Sequence, residues 1–175
     1  MEKRKYNFDW DTAVSFSIKQ ARPNLGPNTR VEIYRLLKYS IQQLLEEKLG
    51  IEETTNLFRE AGIQSGKAFY SKFLINSLNI TTLVDKIKES FNAMGIGIFK
   101  IESLTEDHSY FKFTIEEDLD CSGFPNVSKS ICVYDEGFIK GILEEFSGKE
   151  YEVHEIDCWC TGSNICRFEA KLIIR

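Results

Sequence analysis

The chain has 175 residues, of which 42% are hydrophobic and 28% are charged, a composition typical of one soluble globular domain that can bury its own core. Its formal net charge of −5 at pH 7 argues against direct nucleic-acid binding, which depends on clustered Lys and Arg side chains. The longest apolar runs, such as residues 95–99, are far too short to span a membrane. The first residues lack the apolar stretch of a secretion signal, so we expect a cytoplasmic protein with reduced cysteines.

Residues 1–28 are predicted to form an N-terminal arm. Their apolar side chains follow no regular period, and residues 23–28 have the glycine and proline content of a turn-rich connector. The arm carries the aromatic residues Tyr6, Phe8, Trp10 and Phe16. We expect these rings to pack on the body of the domain, and a lid or a dimer contact are the alternative roles.

Residues 29–175 are predicted to form a single domain that opens with helices. The first helix is expected between Asn28, a plausible N-cap, and Gly50, a plausible stop, because Ile33, Leu37 and Ile41 recur at helical spacing.

A second helix is expected from about Glu52 to Ser77, with small residues at positions 61, 62, 65 and 66. Each glycine costs about 1 kcal/mol of helix propensity, so the folded protein must compensate for it. We favour close packing of another helix against this one at the small residues. The alternative is that the missing side chains leave room for a bound molecule.

The rest of the chain reads as a third helix, two hairpins and one more helix. The third helix is expected from Thr81 or Thr82 to Ala93, followed by strands at 96–104 and 108–116. A loop at 117–130 then leads to a helix that starts near Cys132 and closes at Gly148, and a terminal hairpin follows. This order predicts an α+β fold in which helices cover an antiparallel sheet.

The terminal quarter contains a candidate metal site. Cys132, Glu155, Cys158 and Cys166 supply three thiolates and one carboxylate, which would fill the tetrahedral coordination of one Zn²⁺ ion. In the last hairpin Glu155 lies in phase with apolar residues, where an unpaired carboxylate is costly and a cation would resolve the conflict.

Cys158 is out of phase with Glu155 by one residue, so a bend or bulge is expected at residues 156–158. Two other thiols compete for places in the ligand set. Cys160 could replace Cys158, or Glu155 if that carboxylate turns outward, and Cys121 is the other remaining thiol. Cysteines that merely pack as small hydrophobic residues are the simpler alternative.

Two motifs give the chain a family resemblance. The run from Cys132 to Gly141, followed by Glu155-x2-Cys158-x7-Cys166, closely resembles the 4-vinyl reductase (4VR) domain family. Glu60-Ala-Gly62-x3-Gly66 resembles its glycine-bearing helix, and the resemblance spans roughly residues 30–174. It implies a small zinc domain with an internal apolar cavity, similar to the sensor domains of phenol-responsive activators. It also implies a fold related to vesicle-tethering subunits and to the ligand-binding domains of nitric-oxide signalling.

A catalytic role finds little support in the sequence. His108 and His154 are the only histidines, both are expected to be exposed, and a zinc ion with four protein ligands has no open position for a substrate. The first hypothesis is therefore a non-catalytic sensor or carrier of a small hydrophobic or aromatic molecule. The alternatives are a tetrapyrrole 4-vinyl reductase, or its accessory protein, and a pure protein-interaction module.

The predicted ligand cavity is lined by aromatic residues, although such residues at regular spacing also build ordinary cores. In the phenol-sensing relatives a His and a Trp ahead of the first zinc cysteine hold the ligand hydroxyl, whereas this chain has only His108 and no Trp between Trp10 and Trp159. An apolar ligand is therefore expected. Helix-mediated dimerisation in related domains also implies a homodimer. The candidate lining residues are Phe58, Phe69, Phe73, Phe99, Phe111, Phe113 and Trp159.

Overall fold

A computed structural model describes residues 17–174. Within this range the α-helices are α1 Ser17–Ala21, α2 Val31–Leu49, α3 Ile51–Phe69, α4 Ile80–Met94 and α5 Val133–Ser147. The strands are β1 Ile98–Leu104, β2 Tyr110–Glu116, β3 Tyr151–Asp157 and β4 Cys166–Leu172. A π-helical turn, Tyr70–Leu74, extends α3, and a 3₁₀ turn, Trp159–Thr161, follows β3. Among the described residues, no helix is both long and apolar enough to cross a bilayer.

The helix boundaries depart from the predictions at two N-termini. Helix α2 begins after Arg30 without a side-chain cap, so Asn28 is not its N-cap. Helix α4 is capped by Asn79, whose side chain accepts a hydrogen bond from the backbone N–H of Thr82 at 2.9 Å. Thr82 is the third helical residue of that capping box, and its hydroxyl accepts from the backbone N–H of Asn79.

Most of the predicted N-terminal arm lies outside the described residues. Residues 1–16, with the four aromatic rings, belong to that part of the chain. Within the remainder, α1 is a short helix and residues 22–28 form turns, including Gly26 at a φ of 67°.

The sheet has the strand order β1-β2-β4-β3, with every neighbouring pair antiparallel. The two predicted hairpins, β1–β2 and β3–β4, are present, and pairing of β2 with β4 joins them. A register shift between Glu155 and Asp157 places an irregularity in β3, where the bend was expected. The predicted α+β class is confirmed.

The core lies between one face of the sheet and helices α4 and α5. On that face Phe113 stacks on Phe99 and Phe168, with ring centroids 5.1 and 5.3 Å apart. Phe91 from α4 meets Phe99 edge-on at 5.8 Å, and Phe138 from α5 lies 6.0 Å from Phe91. The strand alternation seen in the sequence therefore orients a continuous aromatic layer toward the helices.

Helices α3 and α5 cross at a contact made by backbone atoms. Gly62 and Gly66 of α3 face Gly137 and Gly141 of α5. A Cβ atom on Gly66 would overlap the carbonyl oxygen of Phe138, and one on Gly141 would overlap that of Ile63. The close helix crossing favoured from the sequence is present, and it compensates for the low helix propensity of these glycines.

We expect Gly66→Ala to lower the free energy of unfolding by about 3 kcal/mol, because the added methyl group pushes two backbones apart. Chemical denaturation measures this loss. Gly148→Ala is the control: its Cβ would meet nothing within 4 Å, although its φ is 67°. That variant should lose only about 1 kcal/mol, the cost of a left-handed alanine. Equal losses in both variants would contradict the close crossing.

Candidate functional site

Four buried thiols converge at one end of the sheet. The Sγ atoms of Cys121, Cys132, Cys158 and Cys166 all lie within 4.8 Å of one another. The Cys132 sulfur is 3.8 Å from that of Cys158 and 3.8 Å from that of Cys166, while Cys121 and Cys166 are 3.0 Å apart. All five cysteines of the chain, Cys160 included, are free.

Each thiol comes from a different local structure. Cys132 directly precedes α5, and Cys166 opens β4 on the face that also buries Phe168. Cys158 follows β3 after the irregularity, and Cys121 lies in the loop between β2 and α5. Segments far apart in sequence therefore meet at one point, as expected for a site whose ligands join separate elements.

The spacing of three thiols suits a tetrahedral metal ion. With Zn–S bonds of about 2.3 Å, the edge of an S₄ tetrahedron is about 3.8 Å. The separations of Cys132 from Cys158 and from Cys166 equal that edge. The contact between Cys121 and Cys166, at 3.0 Å, is shorter. Of the three separations among the thiols predicted as ligands, two therefore match a tetrahedral zinc site, and the third, between Cys158 and Cys166, is within 4.8 Å.

Glu155 lies outside the compact group in which it was predicted, because its carboxylate is turned to Ser130, whose hydroxyl donates to Oε2. Its other oxygen, Oε1, is buried without a hydrogen-bond partner. Burial raises the pKa of Glu155 to about 8, whereas the hydrogen bond from Ser130 acts in the opposite direction. The carboxylate therefore borders the cluster, and the fourth side chain within the cluster is Cys121.

Hydrogen bonds among the thiols shift the pKa values of Cys158 and Cys132 in opposite directions. Bonds from Cys121 and Cys132 lower the pKa of Cys158, whereas bonds to Cys121 and Cys158 raise the pKa of Cys132. A thiolate at this site is stabilised by the S–H groups beside it. Further thiolates at these distances require a positive charge.

Cys160, the other competitor, does not join the group. It is fully buried in the 3₁₀ turn, and its carbonyl oxygen accepts a hydrogen bond of 2.9 Å from the N–H of Val127. Burial and the charge of Cys158 raise the pKa of Cys160 to about 12. It behaves as a packed neutral thiol.

A buried polar layer that the sequence did not reveal surrounds the thiols. Lys38 of α2 forms an ion pair with Asp120, and the two side chains are only 7% and 3% exposed. Asp118 and Asp135 approach Cys132, and Oδ2 of Asp135 is buried without a partner. Burial raises the pKa of Asp118, to about 6, and that of Asp135. The loop residues belong to no periodic pattern, so hydropathy could not identify them.

Three of the predicted cavity residues come together. Phe99, Phe111 and Phe113 line an apolar cavity of about 10 Å³, enough for roughly one water molecule. The cavity lies between the sheet and helices α4 and α5. Its other lining residues are all aliphatic: Ile80, Leu83, Val84, Ile87, Ile101, Ile139, Ile142 and Leu143.

The other four predicted residues lie elsewhere. Phe69 is fully buried and packs on Phe73, with ring centroids 4.9 Å apart. Phe58 lines an open groove of about 290 Å³ beside Leu37 and Ile41 of α2. Trp159 borders a different groove, of about 490 Å³. The seven aromatic residues therefore do not enclose one common cavity.

Neither histidine is placed in a catalytic arrangement. His154 is exposed, as expected, beside Glu152, with 3.1 Å between Nε2 and Oε1. His108 is partly buried rather than exposed and occupies the β1–β2 turn with a φ of 58°.

The chain is similar to known proteins in both sequence and fold. It is 27% identical over 149 residues to an uncharacterised protein of Methanocaldococcus jannaschii. The match covers 85% of this chain and 81% of that protein. A crystal structure of a vinyl-4-reductase family protein from the same organism is 17% identical, covers 98% of this chain and 100% of that one, and has a TM-score of 0.64. The phenol-responsive sensory domain of the transcription activator PoxR, solved with phenol, is 17% identical, covers 76% and 71%, and also has a TM-score of 0.64.

More distant structures share the fold. A trafficking protein particle complex subunit 3 from Naegleria fowleri, covalently bound to palmitic acid, has a TM-score of 0.63 at 16% identity and covers 82% of this chain and 95% of that one. An H-NOX protein from S. oneidensis has a TM-score of 0.53 at 16% identity and covers 94% and 93%. The predicted relation to both fold groups is confirmed.

Residues 111–172, which contain the four clustered thiols and Glu155, match the V4R domain, and the resemblance predicted from the cysteine motif is confirmed there.

Proposed function

We propose that this protein is a non-catalytic, zinc-containing domain that binds a small apolar molecule and senses or carries it. The observation that carries the proposal is the convergence of three buried thiols, with Cys132 at the spacing of a tetrahedral edge from the other two, in a domain that also encloses an entirely apolar cavity. The fold supports it, because the similar PoxR domain was solved with phenol and the similar trafficking subunit with palmitic acid.

In the proposed zinc site, Cys132, Cys158 and Cys166 supply three ligands and Glu155 supplies the fourth. If Cys121 were the fourth ligand, Oε1 of Glu155 would remain buried without a partner, which is costly for a polar atom. A neutral buried Cys121 has almost no such cost. Its sulfur is 3.0 Å from that of Cys166, so it can donate its S–H to the Cys166 thiolate.

The proposed role of the metal is structural. Four protein ligands leave no position for a substrate or an activated water molecule. The ion would instead fasten the start of α5 to the terminal hairpin, because Cys132 lies at the helix start and the other ligands lie in or beside β3 and β4.

We expect Cys158→Ser to abolish stoichiometric zinc and to lower the thermal midpoint strongly, because metal binding contributes directly to folding. Elemental analysis of purified protein and a thermal melt measure the two effects. Cys160→Ser is the matched control, since it removes a buried thiol two residues away that is not in the cluster. Equal zinc content in the two variants would refute the ligand assignment.

The fourth ligand is identified by comparing Glu155→Gln with Cys121→Ser. We expect Glu155→Gln to weaken zinc binding by about 100-fold, and Cys121→Ser by about 10-fold or less, because Cys121 contacts the ligand Cys166 and not the metal. Competition with a chromophoric chelator measures both affinities. The reverse order would show that Cys121 is the ligand.

The proposed ligand site is the apolar cavity between α4 and the sheet. Its present volume of about 10 Å³ cannot hold a ligand, so binding requires α4 to move away from β1 and β2. The lining residues are all aliphatic or phenylalanine, so no side chain can hydrogen-bond a ligand hydroxyl. An apolar molecule therefore fits better than a phenol.

Toluene and phenol make a matched pair of probes, because they differ in one substituent. We expect toluene to bind at least about 10-fold more tightly, since an unpaired buried hydroxyl costs about 1–3 kcal/mol. Titration calorimetry measures both affinities. Equal affinities would contradict the apolar site.

Leu83→Ala enlarges the cavity and should strengthen toluene binding, because less movement of α4 is then needed. Leu78→Ala, at a position that is 88% exposed, should leave the affinity unchanged.

We also propose a homodimer formed through α2. Ile33, Leu37, Ile41 and Leu44 form one stripe along this helix and are all exposed, Leu37 by 62%. An exposed apolar stripe of this length is typical of an interface.

We expect Leu37→Glu to convert the dimer to a monomer at micromolar concentration, measured by light scattering, because a charge at the centre of an apolar interface is unpaired. Lys48→Glu, at an exposed position on the same helix, should remain dimeric. A monomeric wild-type protein would refute the dimer.

A further inference from the structure

Helix α2 is attached to the rest of the described chain in an unusual way. Among its residues, Val31–Leu49, the only fully buried one is Lys38, whereas its apolar residues are exposed or half-buried. An amphipathic surface helix ordinarily docks through an apolar face. Here the buried contact is a charge, and it must be paired to be tolerated.

The partner of this buried charge is Asp120, in the loop after β2. Lys38 donates to Oδ2 of Asp120, and the hydroxyl of Tyr34 donates to Oδ1 at 2.7 Å. The hydroxyl of Tyr39 donates to the carbonyl oxygen of Asp120 at 2.9 Å, and Arg35 Nε donates to that of Leu119 at 2.8 Å. We call this set of contacts the Asp120 clamp.

The same loop turn reaches the thiol cluster on its other side. One oxygen of Asp118 accepts hydrogen bonds from the N–H of Asp120 at 2.8 Å and from that of Cys121 at 3.0 Å. The N–H of Ser122 closes the turn onto the carbonyl oxygen of Asp118 at 3.1 Å. Consecutive residues of one tight turn therefore contact α2 through Asp120 and the thiols through Cys121.

We propose that the turn at residues 118–122 couples zinc occupancy of the thiol cluster to the docking of helix α2. This inference rests on the proposed zinc site. Loss of the ion removes the bonds that would hold the sulfur atoms of Cys132, Cys158 and Cys166 at one point, so these atoms are free to separate. Cys121 is 3.0 Å from Cys166, so movement of that ligand displaces the turn.

The clamp responds to such displacement in a two-state manner. A buried ion pair is stable only in good geometry, and separating its partners inside the protein leaves two unpaired charges. Release of α2, with Lys38 and Asp120 both in water, is then the favoured alternative. Because α2 carries the apolar stripe proposed as the contact with a second copy, zinc would control the presentation of that surface.

Hydrogen exchange measured by mass spectrometry on the full chain tests the coupling. We expect residues 31–49 to exchange about 10-fold faster after zinc is removed with a chelator under reducing conditions, and to regain protection when zinc is restored. Strands β1 and β2 serve as the internal reference. Confirmed zinc loss with unchanged exchange in α2 would overturn the proposal.

Zinc affinity provides the reciprocal test, because coupling between two sites acts equally in both directions. We expect Lys38→Met to speed exchange in α2 and to weaken zinc binding by about 10-fold, measured by chelator competition. Tyr39→Phe, which deletes one hydrogen bond of the clamp, should act in the same direction but more weakly. Lys48→Met makes the same substitution at an exposed position of the same helix and should match the wild type.

The possible failures are distinguishable. A clamp that only holds α2 in place would loosen the helix in Lys38→Met without changing zinc affinity, and that result would overturn the coupling while leaving the zinc site intact. A wild-type protein that binds no zinc would refute the proposed metal site itself, and the coupling with it.

Discussion

The structure depends on bringing thiol and carboxylate groups together out of water. Cys121, Cys132, Cys158 and Cys166 are buried within 4.8 Å of one another, with Glu155 on their border. Few arrangements in a protein interior accommodate so many ionisable groups, because each additional negative charge raises the cost of the next. A single divalent ion changes this balance, since it favours the thiolate form that the site otherwise suppresses.

The glycine crossing positions Glu155, the proposed fourth metal ligand, as well as stabilising the helices. Close contact of α3 with α5 lets Arg59 reach Glu136 in the first turn of α5, at 2.7 Å. The other oxygen of Glu136 accepts a hydrogen bond of 2.8 Å from the N–H of Glu155, beside the irregularity in β3. A side chain at position 62 or 66 would separate the helices and lengthen this chain of contacts. The backbone contact between helices and the position of Glu155 are thus parts of one structural constraint.

The sequence predicted those features that are encoded by local pattern. Alternation of Phe111, Phe113 and Ile115 identified the buried face of β2, and the spacing of Cys132, Cys158 and Cys166 identified three members of the thiol cluster. Cys121 could not be placed in the same way. It lies in an irregular loop, and its position depends on a turn held by Asp118 rather than on any period. The burial of Lys38 was not predicted either, because a lysine on a helix is ordinarily exposed.

The predicted aromatic cavity shows a further limit of periodicity. A stripe of phenylalanines defines which face of an element is buried but not which neighbouring element it meets. Phe69 therefore lies in the packed core, and Phe58 lines an open groove. Of the predicted aromatic residues, only Phe99, Phe111 and Phe113 border the internal cavity. That cavity is small because α4 lies against the sheet, and α4 contributes no residue to the thiol cluster. The proposed metal site would thus hold the terminal hairpin and α5 together, and α4, which supplies no proposed ligand, is the wall that we expect to move for a bound molecule.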